Sequence, residues 1–207
     1  MEHSLKRLQT DAVDCIQVHG PVFEYCGFQR ARELCEELVK LREEKLCRWI
    51  GLTGHNAFET MFRLIDTGLY DQLLIAYGYF PKGMDTLLSP ANLAWRERCL
   101  DRAHELGMGV VAMKVMGSFL FGHRAQEVVP GFPPEKLLGL RAAALRWVLS
   151  DDRITLAVIG VSRPEDIDRN IAIVSGDLRL GDDDRKVLSE FSTQAFQSPI
   201  VRGMKVV

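Results

Sequence analysis

Five short apolar segments of this chain have the length and composition of β-strands, and each is followed by a stretch with apolar residues at helical spacing. The predicted strands are residues 13–19, 48–55, 73–80, 109–116 and 155–162. Because parallel strands need a crossover helix between them, the pattern predicts an α/β fold of about five parallel β/α units. Five such units are fewer than the eight of a closed barrel.

The helical stretches are amphipathic, with apolar residues three and four positions apart. The predicted helices are residues 4–10, 29–45, 57–67, 93–106, 137–149, 164–174 and 182–191. Proline and glycine predict connecting loops at 82–92 and 123–134, and the tail to Val207 has no clear pattern. Loops as long as 123–134 often have a function.

Composition indicates one folded domain over residues 1–207, with 47% apolar and 26% charged residues. A formal charge of −2 provides no basic surface and argues against nucleic acid as a partner. The five cysteines lack CxxC spacing, which favours reduced thiols over a disulfide framework or a metal site. The first residues lack a hydrophobic signal core, and no apolar run approaches the length of a membrane span, so we expect a cytoplasmic protein.

Polar residues at the carboxyl ends of the first two strands are candidates for chemistry, because parallel β/α enzymes place their sites there. His19 could donate a hydrogen bond to a carbonyl oxygen or transfer a proton, although a structural hydrogen bond would also explain it. Thr53, Gly54, His55 and Asn56 could bind a carboxamide or a sugar, but Asn56 is equally well explained as a helix cap.

Two further candidates end the fourth and fifth predicted strands. Lys114 is a single lysine in an apolar stretch, where it either faces a polar cleft or extends its stem to the surface. Gly160, Ser162 and Arg163 precede a helix start, and backbone N–H groups at such a position can hold phosphate. Ordinary helix capping gives the same pattern, so this signal alone is weak.

Taken together, several segments resemble the aldo/keto reductase superfamily, a set of (β/α)8 TIM-type barrel enzymes that use a nicotinamide cofactor. The segments occur in the family's order and are SLKRLQTDAVDCIQVHGP, residues 49–56, GMGVVAMKVMGS, ALRWVL and VIGVSRPEDIDRNI. The resemblance spans nearly the whole chain. It implies a partial barrel made of units four to eight.

The resemblance also implies hydride transfer between NAD(P)H and a small-molecule carbonyl substrate. In the family a tyrosine acts as general acid, assisted by a lysine, an aspartate and a histidine. His19 matches that histidine, while the other three belong to segments that precede it in the family, so we expect this chain to lack them. Tyr25, Tyr77 and Tyr79 lie outside the family's tyrosine position.

The resemblance also implies which residues of this chain contact the cofactor, position by position. Thr53 matches the serine that binds the nicotinamide carboxamide, but Gly54 replaces the usual asparagine and Leu74 stands in place of a glutamine. Met113 matches the aromatic residue that stacks on the nicotinamide ring. The remaining implied cofactor contacts are Lys114, Gly117, Ser118, Gly160, Ser162, Arg163 and Asn170.

A carboxylate at Asp166, where NADP-preferring members place arginine or glutamine, would repel a 2′-phosphate, and Arg163 could compensate. The choice between NADP and NAD therefore stays open at this point.

Two hypotheses follow for the whole chain. It is either an aldo/keto reductase-type oxidoreductase whose short chain is a poor catalyst, or a non-catalytic dinucleotide-binding or interaction remnant of the same fold. In the second case, open sheet edges would invite self-association or pairing with another chain. A different β/α hydrolase or isomerase is a weaker alternative, because the sequence has no GxSxG elbow and no paired carboxylates at strand ends.

Overall fold

The computed structural model describes residues 1–117, 120–122 and 124–207. Seven strands are assigned within these residues. Their bounds are β1 Val13–His19, β2 Cys47–Gly54, β3 Gln72–Ala76, β4 Thr86–Leu87, β5 Gly109–Met113, β6 Leu156–Ala157 and β7 Lys205–Val206.

Helices form at each predicted amphipathic stretch, and two short helices, α5 and α9, form where none was predicted. Their bounds are α1 Glu2–Leu8, α2 Gly20–Glu43, α3 Phe58–Ile65, α4 Pro90–Glu105, α5 Ala125–Val128, α6 Leu137–Leu149, α7 Pro164–Val174, α8 Asp182–Ala195 and α9 Pro199–Arg202, with a short 3₁₀ turn at Pro134–Lys136. None of the helices in the described part of the chain is long and apolar enough to cross a membrane.

Five strands form one sheet in the order β1-β2-β3-β5-β6. The β1 and β2 strands pair in parallel from Val13 opposite Cys47 to His19 opposite Thr53. The β2 and β3 strands are also parallel, with Gly51 opposite Gln72. The predicted α/β fold with five parallel β/α units is therefore confirmed.

The chain divides into two compact units. The first comprises Met1–Ile75 and Pro90–Val111. In it, α2 covers β1 and β2, and α3 packs on α4. Its core includes the fully buried side chains of Phe58, Met61 and Leu64 on one face of α3.

The second unit comprises Ala76–Ser89 and Ala112–Val207. Its core is aromatic: Phe191 of α8 contacts the rings of Phe121 and Phe132 at centroid distances of 5.3 and 5.0 Å. The α6 and α8 helices pack together, and β7 pairs in parallel with β4. The tail, which has no clear sequence pattern, is thus ordered by main-chain hydrogen bonds to residues 86–89.

Several predicted bounds differ from the structure. The α2 helix begins at Gly20 rather than near residue 29, and Gly27 interrupts it with φ of 79°. The last predicted strand, 155–162, is reduced to Leu156–Ala157. This strand lies at the edge of the sheet, and directly after it the N–H of Val158 donates a hydrogen bond to the carbonyl oxygen of Ala112 at 2.9 Å.

An ion pair orders the turn after α6 and gives a prediction for acid stability. Asp151 accepts hydrogen bonds from the Tyr77 hydroxyl at 2.5 Å and from the Arg153 guanidinium at 2.6 Å. Burial alone would raise the pKa of the Asp151 carboxyl, but the hydrogen bonds from Arg153 and Tyr77 outweigh it and lower the pKa from 3.8 to about 2. Because the folded pKa is depressed, this stabilisation is complete above the unfolded pKa and is lost as the pH falls through about 2.

We therefore expect Asp151→Asn to reduce the free energy of unfolding by about 1–2 kcal/mol near neutral pH and by much less near pH 2. Thermal unfolding followed by circular dichroism across this pH range measures the difference. The exposed neighbour Asp152, changed to Asn, is the matched control and should leave the profile unchanged. A difference between Asp151→Asn and wild type that does not shrink in acid would contradict the assignment.

Candidate functional site

In the first unit, strand register places two of the predicted site residues side by side. His19 is the last residue of β1 and lies opposite Thr53 of β2, which in turn lies opposite Leu74 of β3. The His19 side chain is exposed and the Thr53 side chain is buried. A histidine and a hydroxyl thus lie at the same level near the carboxyl ends of adjacent strands, as the sequence predicts.

The Thr53 hydroxyl has no hydrogen-bond partner among the described residues, so it can bind a ligand group. The main-chain carbonyl oxygen of Asn56 accepts a hydrogen bond from the side-chain amide of Asn92 at 2.5 Å. His55 is buried and also interacts with its surroundings. The structural interpretation therefore fits His55, whereas the predicted role of Asn56 as the cap of the next helix is wrong, because α3 has Ala57 at its N-cap and no side-chain cap hydrogen bond.

Gly54 is required by the packing around it. A Cβ at this position would lie 2.5 Å from Cε of Met61 and 2.7 Å from Cζ of Phe23. Phe23 belongs to the first turns of α2 and is almost fully buried. The Phe23 ring therefore fills the space that a larger side chain at position 54 would need, and this explains the glycine there.

In the second unit, Lys114 has a backbone conformation that is uncommon for a residue with a side chain. It follows directly after β5, with φ of 62° in the left-handed region. A Cβ at Gly78 would meet the carbonyl oxygens of Lys114 and Val115 at 3.0 Å, so the glycine permits this close approach. Strained residues at strand ends are concentrated at functional sites, which supports Lys114 as a site residue.

Lys114 also affects a buried lysine. Lys82 donates a hydrogen bond to the carbonyl oxygen of Met84. Burial lowers the pKa of Lys82, the carboxylate of Asp85 opposes that effect, and the positive charge of Lys114 lowers the pKa further. The two lysines are therefore close enough for their positive charges to repel each other.

A pocket of about 520 Å³ in the second unit brings together three of the predicted cofactor residues. It is lined by Met113, Lys114, Val115, Met116, Val158, Ile159 and Gly160. Gly117 follows with φ of 56° and lies outside the lining, and Ser118 lies outside the described residues. The pocket has an apolar wall and one lysine, which suits a ring with an adjacent anionic group.

The helix start of α7 carries the other predicted cofactor residues. Ser162 and Arg163 are exposed, and Pro164 begins the helix. Asn170, two turns into α7, has its side-chain oxygen buried without a hydrogen-bond partner among the described residues. A buried acceptor of this kind favours a donor supplied by a ligand.

A second pocket of about 420 Å³ beside α7 contains residues that the sequence did not indicate. It is lined by Phe121, Gly122, Pro134, Leu137, Leu138, Arg141, Arg163, Asp166 and Arg169. Arg141 belongs to α6, more than 20 positions before Asp166, and it looks like an ordinary surface residue of an amphipathic helix. The family resemblance indicates Arg163 and Asp166, the charge density of 163–169 is the sequence signal for Arg169, and the sequence gives no signal for Arg141.

A third pocket, of about 630 Å³, lies in the first unit near the amino ends of the strands. Its lining includes Cys15, Trp49, Asp71 and Gln72, which come early in or just before β1, β2 and β3. Its lining residues Cys15 and Trp49 lie towards the opposite ends of β1 and β2 from His19 and Thr53. Among residues 1–117, 120–122 and 124–207, no three His, Cys, Asp or Glu side chains are grouped to hold a metal ion.

Comparison with known proteins identifies the family of the chain. The model of the aldo/keto reductase family matches residues 1–136, and the chain belongs to this family. The chain is 25% identical over 216 aligned positions to L-galactose dehydrogenase from Arabidopsis thaliana, covering 97% of this chain and 63% of that protein.

Solved structures share the fold. The holo form of an aldo-keto reductase from Bacillus halodurans superposes with a TM-score of 0.64 at 18% identity, over 92% of this chain and 62% of its own. An aldo-keto reductase from Klebsiella pneumoniae in complex with NADPH superposes with a TM-score of 0.57 at 18% identity. The match covers 91% of this chain and 62% of that one. The chain thus spans just over three fifths of the length of these relatives.

Proposed function

We propose that this chain is a nicotinamide-dinucleotide-dependent oxidoreductase that acts on small-molecule carbonyl compounds. Family membership supports the reaction class, and the observation that carries the proposal is the pocket of Met113, Lys114 and Gly160 at the end of β5 and next to β6. When bound, the dinucleotide supplies the hydride that reduces the carbonyl.

The residues of the chain fit such a cofactor best at its adenosine end. The buried, unpartnered side-chain oxygen of Asn170 would accept a hydrogen bond from an amino group such as that of adenine. Lys114 would hold a phosphate oxygen, and the exposed N-terminal end of α7 at Ser162 and Arg163 favours negative charge.

His19 and Thr53 provide the polar groups of the first unit. The exposed imidazole of His19 would donate a hydrogen bond to the carbonyl oxygen and stabilise the charge that develops on it. The Thr53 hydroxyl would bind a carboxamide, while Gly54 and the apolar Leu74 make no polar side-chain contact.

Weak carboxamide binding favours a second candidate function. Because Gly54 has no side chain and Leu74 is apolar, Thr53 alone of these three residues could bind the carboxamide, and the chain would bind dinucleotide without efficient turnover. On this alternative it is a dinucleotide-binding or regulatory protein that pairs its sheet edges with another chain. Consumption of NADH or NADPH in the presence of simple aldehydes separates the two functions.

The proposal predicts that the purified chain binds NADH or NADPH, measured by the fluorescence of the reduced nicotinamide. Ser162→Asp should weaken binding on the order of tenfold, because it adds a negative charge near the cofactor phosphates. Ser175→Asp, at the opposite end of α7, is the matched control and should bind as wild type does. A chain that circular dichroism shows to be folded but that binds neither cofactor would refute the proposal.

A further inference from the structure

The pocket of about 630 Å³ in the first unit is formed on one face of the sheet and has the volume of a small-ligand site. Gln17 of β1, Trp49 of β2 and Gln72 of β3 line it. Gly51 of β2 lies opposite both glutamines, and it shares a face with Trp49, because residues two positions apart on a strand point the same way. The two amides and the indole ring therefore belong to the same side of three adjacent strands.

Gly51 allows the two amides to meet. Gln17 Nε2 donates a hydrogen bond to Gln72 Oε1 at 2.5 Å and so joins β1 to β3 across β2. A Cβ at position 51 would lie 2.5 Å from Gln72 Oε1 and 2.8 Å from Gln17 Cγ. The middle strand has no side chain at this level, and the amide pair occupies the space as the polar centre of the pocket.

Each glutamine keeps hydrogen-bonding capacity that the pair does not use. Nε2 of Gln72 carries two N–H groups and Oε1 of Gln17 carries two lone pairs. Neither atom has a hydrogen-bond partner among residues 1–117, 120–122 and 124–207. Exchanging O and N in both amides would reverse the hydrogen bond between them and would still leave one donor and one acceptor. The pair therefore complements a lactam edge, in which a ring carbonyl is next to a ring N–H.

Trp49 provides a flat, apolar wall next to this polar centre. The residue is 50% exposed, although tryptophan is highly buried on average in folded proteins. A planar ring that stacks on the indole would cover this surface, as nucleic acid bases do on aromatic side chains. The indole and the amide pair together favour a ligand that is flat and has a donor and an acceptor along one edge.

The charges around the pocket favour an uncharged ligand. Among the described residues that line it, Asp71 alone is charged. Its Oδ2 accepts hydrogen bonds from the Arg42 guanidinium at 3.0 Å and from the backbone N–H of Ile50 at 2.8 Å. Arg42 balances the charge of Asp71 but does not line the pocket, so an anionic ligand would meet a carboxylate and no cation at the wall.

We propose that this pocket binds a planar, uncharged nitrogen heterocycle with a lactam edge, such as the ring of hypoxanthine, stacked on Trp49 and hydrogen-bonded by Gln17 and Gln72. The inference does not rest on the proposed dinucleotide binding, because none of the pocket's lining residues is used there. It adds a second ligand to the first unit.

Isothermal titration calorimetry of the purified chain with hypoxanthine tests the inference. Wild type should bind it with a dissociation constant below about 1 mM. It should bind 1-methylhypoxanthine weaker on the order of tenfold, because a methyl group replaces the lactam N–H. Gln72→Leu should weaken hypoxanthine binding by a similar factor and remove the difference between the two ligands. Gln29→Leu, at an exposed position of α2, is the matched control and should bind as wild type does.

Tryptophan fluorescence gives an independent readout of stacking. The chain has three tryptophans, and Trp49 alone of them lines this pocket, so bound hypoxanthine should quench part of the emission. Trp49→Leu should lose this quenching and bind weaker on the order of tenfold. Inosine 5′-monophosphate has the same ring with an anionic phosphate and should bind no more tightly than hypoxanthine.

Wild type alone provides a test that does not depend on the folding of a variant. A dissociation constant for hypoxanthine above about 1 mM, equal affinity for 1-methylhypoxanthine, or tighter binding of inosine 5′-monophosphate would overturn the inference. Unchanged hypoxanthine binding by Gln72→Leu or Trp49→Leu, each shown to be folded by circular dichroism, would also overturn it. Titration with NADH in the presence of hypoxanthine keeps the two proposals apart, since either ligand can fail to bind while the other binds.

Discussion

Replacing Phe191 by alanine is expected to lower the free energy of unfolding by about 3–5 kcal/mol. The side chain is completely buried in α8 and contacts the rings of Phe121 and Phe132. Its removal leaves a cavity in the aromatic core of the second unit and also deletes two ring contacts, each of which contributes beyond buried area. Urea unfolding followed by circular dichroism measures the loss.

The same substitution should weaken cofactor binding, because Phe121 and Phe132 belong to the long connection between β5 and α6. Phe196→Ala is the matched control: Phe196 is 41% exposed and stacks on Phe80 at 4.7 Å, so we expect a cost below about 2 kcal/mol. Equal losses in the two variants would contradict the assignment of Phe191 as the centre of the core. If Phe191→Ala does not fold, Phe191→Leu keeps most of the volume and should give a smaller, measurable loss.

The sequence predicts the bounds of a strand or helix correctly where residues close together in the chain determine those bounds. The β1 strand matches its predicted bounds because His19-Gly20-Pro21 ends it sharply. The α7 helix begins at Pro164 as predicted, since proline is favoured in the first turn and Glu165 and Asp166 complement the helix dipole. The bounds of α6 also agree with its apolar periodicity.

Structure that depends on distant residues could not be predicted. The tail forms β7 only because residues 86–87 provide a partner strand, and nothing in the tail itself indicates this. The apolar run 155–162 has the composition of a full strand, but only Leu156–Ala157 is assigned to the sheet, whereas β1, at the other edge, keeps all of its predicted residues. An apolar run shows that a segment can be buried and does not show whether a partner is present.

Part of the candidate site could likewise be predicted from the sequence, and part could not. The alignment of His19 with Thr53 follows from strand ends in a parallel sheet and was predictable. The participation of Arg141 was not, since the pairing with Asp166 joins α6 to α7 across 25 positions of sequence. The role of Phe23 could not be predicted either. The sequence shows that position 54 has no side chain, but it does not show that the Phe23 ring occupies the space of that side chain.

The packing around Gly54 gives the second large prediction. Gly54→Asn restores the residue that is usual in the family, yet we expect it to lower the free energy of unfolding by about 1–3 kcal/mol. The added Cβ would lie 2.7 Å from the buried Phe23 ring and 2.5 Å from Met61, and the ring has less freedom to move than the methionine. Thermal and urea unfolding of the purified variant measure the cost.

A matched control and a double variant separate this overpacking from the general effect of replacing a strand glycine. Gly109 begins β5 and has open space at its Cβ position, so Gly109→Asn should cost little. Adding Phe23→Ala to Gly54→Asn removes the ring that the new side chain would strike. The double variant should therefore lose less stability than the sum of the two single variants, by about 1 kcal/mol or more. Additive losses would mean that Phe23 does not exclude a side chain at position 54, and an asparagine there would then be free to bind a carboxamide.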